Sequence, residues 1–70
     1  MNKLILNLDL YSESNVESAI VAYKSIARIT YTIDEQNIIC QFFDCVYQVE
    51  TVMAEFENYL VAIVHRELYI

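Results

Sequence analysis

The chain carries one histidine, His65, and two cysteines, Cys40 and Cys45. These are its soft metal ligands, and a tetrahedral zinc site takes four. A carboxylate or a second chain would have to complete the set, so the ordinary reading is two structural thiols and no metal. Nucleophilic catalysis needs a base beside the nucleophile. His65 lies between an apolar run and Arg66-Glu67, and reads instead as a helix-end residue whose charge suits the dipole. Paired acid–base work needs two carboxylates held in a pocket that splits their pKa values. Asp9, Glu17, Asp34, Asp44 and the glutamates after residue 49 are scattered, as on a solvated acidic surface. No catalytic residue and no cofactor are expected.

Composition narrows the classes further. Seventy residues at 57% hydrophobic and 20% charged give one small folded domain, residues 1–70, rather than a disordered chain. A chain this size buries only about 60% of its unfolded surface, which leaves little room for a deep cleft. Ten acids against four bases, Lys3, Lys24, Arg28 and Arg66, leave a net charge of −6, the reverse of a nucleic-acid footprint. Gly and Pro are absent, where ordinary usage would give about five and three or four. Without Gly there is no phosphate-cradling loop, and turns are expected to be type I or open, carried by Asp, Asn and Ser. The longest apolar run is Tyr59 to Val64, six residues, against about 20 for a membrane span. No signal-peptide core precedes the cysteines. A soluble, reducing, cytoplasmic setting follows as the expectation.

The elements that position these residues read clearly. Over residues 3–10, Leu4, Leu6, Leu8 and Leu10 fall on one face and Lys3, Asn7 and Asp9 on the other, the period of a half-buried strand. A helix follows, with rival caps: Ser14 with Glu17 fits a capping box, and Ser12 would let Tyr11 staple onto Val16. Its apolar stripe is Val16, Ala19, Ile20, Tyr23, Ile26 and Ala27. Residues 28–33 alternate and are rich in β-branched types. Residues 34–37 form a polar hairpin turn, and 37–44 return as a strand apolar on both faces. A long helix over about 48–68 closes the chain, its core stripe Val52, Phe56, Tyr59, Leu60 and Ile63.

The order is β-α-β-β-α. A right-handed crossover sets the first strand parallel to the second, and the hairpin sets the third antiparallel to both when it lies between them. The expected fold is an α+β two-layer sandwich, with an antiparallel three-stranded sheet of order 1-3-2 and two helices on one face. Leu6, Ile20, Tyr31, Cys40, Phe42, Phe56 and Ile63 are the expected core.

Two surfaces exceed what such a fold needs. The last helix carries a second stripe, Met53, Val61, Val64 and Leu68, and one apolar stripe suffices for a surface helix. The open sheet face should carry Ile5, Ile39 and Phe43 between Lys3, Asn7, Asp9, Arg28, Thr30, Thr32 and Gln41. These seven apolar residues are the candidate interface. Burying four side chains is worth roughly 1.5–3 kcal/mol each, against about 4–15 kcal/mol for association. The stripe alone therefore supports only a weak homodimer, and a larger partner uses it better. The edge strands could also accept a peptide strand.

Leu8-Asp9-Leu10-Tyr11-Ser12, Ala22-Tyr23-Lys24 and Glu55-Phe56-Glu57-Asn58-Tyr59-Leu60 resemble the small HxsD-type protein of the His-Xaa-Ser peptide-modification system. That family has an opening strand, a Tyr and a Ser-capped helix ending in Ala-Tyr, a short strand pair, and a helix with Glu-Phe-x-Asn. With the order of elements, the resemblance covers residues 4 to about 66, and the chain departs from the family's residues after Leu60. The resemblance implies a non-catalytic accessory acting beside a radical-SAM enzyme and a precursor peptide. Three functions follow in order of preference: a protein- or peptide-binding accessory module, a stand-alone structural homodimer, and a small metal- or ligand-binding enzyme subunit.

Overall fold

The computed structural model describes residues 2–68, and side chains through residue 66. Its elements are β1 (Lys3–Asn7), α1 (Glu13–Ala22), β2 (Arg28–Asp34), β3 (Asn37–Phe43) and α2 (Val49–Leu68). The strands form one antiparallel sheet of order β1-β3-β2, as the element order and the apolar character of residues 37–43 require.

The register sorts side chains into two faces. On the covered face, cross-strand rows are Leu4–Cys40–Tyr31, Leu6–Ile38–Ile33 and Phe42–Ile29. Leu6, Ile29, Ile38, Cys40 and Phe42 are buried there with Val16 and Ala19 of α1, Ala27, and Val52, Phe56 and Leu60 of α2. No polar or charged residue is buried among those described. Edge-to-face ring contacts tie the layers together: Phe56 meets Phe42 at 5.2 Å and Tyr23 at 5.6 Å, and Tyr23 meets Tyr59 at 5.7 Å.

The local structure departs from the periodicity at the ends of the first strand and the first helix, and it decides between the two caps. The first strand ends at Asn7, not Leu10. The Asn7 carbonyl accepts from the Leu10 and Tyr11 amides, and its side-chain oxygen accepts from the Asp9 amide at 2.7 Å. This Asx turn takes Asp9 off the sheet and swings Leu10 into solvent. Ser12 is the helix cap: its hydroxyl accepts from the Asn15 amide at 3.1 Å. The first helix ends at Ala22. Tyr23 caps it, and the Tyr23 carbonyl accepts from the Ile26 and Ala27 amides, so Ala27 is buried from the entry to β2 rather than from a helical turn.

The hairpin is a two-residue loop, Glu35-Gln36, closed by the Asp34–Asn37 pair. Glu35 has φ 58°, the left-handed region demanded at the first position of primed hairpin turns. The twist of the flanking strands overrides the residue preference, at about 1–2 kcal/mol. Asp44 ends β3 in the same region, φ 53°.

The expected core also needs revision at its rim. Ile20, Tyr31 and Ile63 are half-buried, and Tyr59 is 36% exposed. Tyr31 lies on an edge strand, and Tyr59 lies beside the inner stripe of Phe56 and Leu60; for Ile63 the cause is a mismatch of lengths. Twenty helical residues span about 30 Å at 1.5 Å each. Seven strand residues span about 23 Å. Leu60 is the last buried residue of α2 among those described, and the following turns overhang the sheet.

Candidate functional site

The overhang carries the end of the apolar run, Val61 to Val64, and the Asx turn after β1 brings Leu10 and Tyr11 beside it. Leu10, Tyr11, Val61, Val64 and His65 line a groove of about 180 Å³. Leu10 is 67% and Val61 45% exposed, while Tyr11 and Val64 are half-buried. Of the second stripe, Val61 and Val64 thus meet in one groove. Met53 is half-buried and packs against the core, and the Leu68 side chain lies outside those described. Leu10 and Tyr11 are additions that the sequence reading placed in a strand and a cap. The Asn7-Leu8-Asp9 segment, with two Asx residues two apart, was the signal for the turn that relocates them.

The open sheet face is less continuous than its composition suggests. Ile5, Ile39 and Thr32 form one cross-strand row, and Arg28 and Phe43 another; Lys3, Gln41 and Thr30 lie between them. Ile5 is 64% exposed, while Ile39 and Phe43 are half-buried. The Arg28 guanidinium lies over the Phe43 ring at 4.4 Å, and its Nε donates to Asp44 Oδ2 at 3.3 Å. Phe43 is therefore partly shielded, and a polar row separates it from Ile5 and Ile39.

Two larger concavities flank the helices. One, about 530 Å³, is lined by Ile26, Tyr47, Gln48, Thr51 and Glu55. It offers a single carboxylate and no thiol or imidazole, so nothing converges there for acid–base or nucleophilic work. The other, about 500 Å³, runs along β2 between Ile29, Thr30 and Tyr31 and the α1 residues Glu17, Ile20 and Val21. At its edge the Tyr31 hydroxyl lies 2.6 Å from Glu13 Oε2 and 2.7 Å from Glu17 Oε2. Its single proton is shared by the two carboxylates, and the hydrogen bonding to Glu13 first and Glu17 second raises the Tyr31 pKa above the usual phenol value. Tyr23 is raised too, first by burial and then by Glu55 and Tyr59, and its hydroxyl donates to the Glu55 carbonyl at 3.1 Å.

The cysteines are free; Cys40 is buried and Cys45 half-buried. Burial pushes the Cys40 thiol up to about 11, so it is not a thiolate nucleophile near neutral pH. Among the described residues no group of three or more His, Cys, Asp or Glu is placed to hold a metal ion. Among them also, no helix is long and apolar enough to cross a membrane. No protein-family model, no curated protein and no solved structure matches the chain.

Proposed function

We propose that this chain is a non-catalytic binding module that docks an apolar segment of a protein or peptide partner against the overhanging part of α2. The observation that carries this reading is the groove of Leu10, Tyr11, Val61 and Val64, with His65 at its wall. Its volume, about 180 Å³, falls below the roughly 300–1,000 Å³ of small-molecule sites. It suits one anchoring side chain of a macromolecular partner. The core is closed without Val61, so the apolar run continues past what folding requires. The resemblance to HxsD-type proteins extends the reading to a cytoplasmic accessory that works beside a radical-SAM enzyme and its precursor peptide. A net charge of −6 argues against nucleic acid as the partner.

Val61→Glu tests this. Val61 is 45% exposed, so the fold is expected to survive, while partner docking would bury an unpaired charge. Affinity purification with wild type and variant compares what each retains. A partner held by wild type and lost by Val61→Glu supports the reading. Equal retention by both places the binding surface elsewhere.

A further inference from the structure

Strand β2 is an edge of the sheet, and its seven residues read Arg28-Ile29-Thr30-Tyr31-Thr32-Ile33-Asp34. The residue types mirror about Tyr31: threonines flank it, isoleucines flank those, and the two ends carry opposite charges. A second copy running antiparallel, with a twofold axis perpendicular to the sheet and midway between the two Tyr31 residues, would oppose Thr30 to Thr32, Ile29 to Ile33 and Arg28 to Asp34. Thr–Thr and Arg–Asp are favoured cross-strand pairs, Ile29–Ile33 is an apolar match, the symmetry forms each of these twice, and Tyr31 opposes its own copy as an aromatic pair.

The surroundings of β2 fit such a neighbour. Ile33 belongs to the covered face yet is 46% exposed, and Val21 on α1 is 64% exposed. The 500 Å³ concavity lies between α1 and this strand. The edge has no Pro and no Lys, and the strand's own charges, Arg28 and Asp34, sit at its ends; the carboxylates at its centre, Glu13 and Glu17 on the Tyr31 hydroxyl, belong to α1. Strand β1, the other edge, has five residues. Mirroring it about Ile5 would oppose Lys3 to Asn7, with no charge match. Register is equally selective at β2. A slip of one residue sends side chains to opposite faces, and a slip of two opposes Arg28 to Thr32, or Thr30 to Asp34, and breaks the Ile29–Ile33 pair.

We propose that the chain forms a twofold dimer by antiparallel pairing of β2 with β2 of a second copy, centred on Tyr31, which joins two three-stranded sheets into one continuous sheet. This surface is separate from the α2 groove and does not rest on the reading given for it. Each copy carries −6, so the association is measured at physiological salt, where a screening length of about 8 Å limits the repulsion.

The test is mass by sedimentation equilibrium over a concentration series. Wild type should rise from 8.2 kDa toward twice that value. Asp34→Arg opposes Arg28 with a second arginine, and Arg28→Asp opposes Asp34 with a second aspartate. Each should weaken self-association by about tenfold or more, because two pairs per dimer change sign. An equal mixture of the two variants restores opposite charges at both ends and should recover a mixed dimer. Circular dichroism confirms that each variant is folded; Asp34→Arg leaves the Arg28–Asp44 pair intact. A wild type that stays monomeric at every concentration overturns the proposal. So does a dimer indifferent to both variants, or a mixture no better than its parts. A dimer lost only in Val61→Glu assigns self-association to α2 instead, and also overturns it.

Discussion

Replacing Phe56 with alanine is expected to unfold the protein. Phe56 is fully buried, and its ring meets Phe42 of β3 and Tyr23 at the end of α1. One side chain thus joins the second helix to both the sheet and the first helix. Truncating a buried Phe to Ala costs about 3–5 kcal/mol through lost transfer energy and the cavity left behind. A single core in a chain of this size rarely supplies more than about 3–5 kcal/mol in total. The loss therefore matches the whole stability. Far-UV circular dichroism with a thermal melt reads the result: Phe56→Ala should lack a cooperative transition at room temperature and above. Phe56→Leu, which keeps most of the volume, should melt cooperatively at a lowered temperature. A Phe56→Ala variant melting within a few degrees of wild type would refute the placement of α2's inner face.

Other consequences are as direct. Glu35→Gly relieves the left-handed residue of the hairpin and should stabilise by about 1 kcal/mol, a rise in Tm of about 4–8 °C for a domain of this size; a lowered Tm would show that Glu35 is not strained. Tyr31 keeps its proton in the folded state where the unfolded chain, with a phenol pKa of about 10, has lost it. Its contribution is therefore full below pH 10 and is lost as pH rises further. Tm measured against alkaline pH should fall less steeply in Tyr31→Phe than in wild type, and unchanged steepness would contradict the Glu13–Tyr31–Glu17 geometry. Thiol labelling of the native protein should modify Cys45 and reach Cys40 only on unfolding, because Cys40 is buried with a raised pKa; prompt labelling of both would place Cys40 outside the core.

Alternation and helical periodicity are local properties, and they carried the architecture. The Leu4–Leu6 alternation, the β-branched run from Ile29 to Ile33, and the two-sided apolar strand from Ile38 to Phe43 fix which strand is central, since only a central strand is covered on both edges and can be apolar on both faces. Val16, Ala19, Val52, Phe56 and Leu60 recur at helical spacing, and all are buried. The open-face residues Ile5, Ile39 and Phe43 follow from the same period of two, and their register shows that Lys3, Gln41 and Thr30 divide them. Tertiary structure decided what depends on competition between neighbours. Leu10 continues the alternation, yet the Asn7 turn takes it into solvent, because the chain must reverse to begin α1. Glu35 adopts a left-handed conformation because strand twist outweighs its own preference. Ile63 has the spacing of a core residue, but a helix of about 30 Å outruns a sheet of about 23 Å. The groove of Leu10, Tyr11, Val61 and Val64 exists for that reason: it joins residues about fifty apart in sequence, at the place where the shorter layer ends.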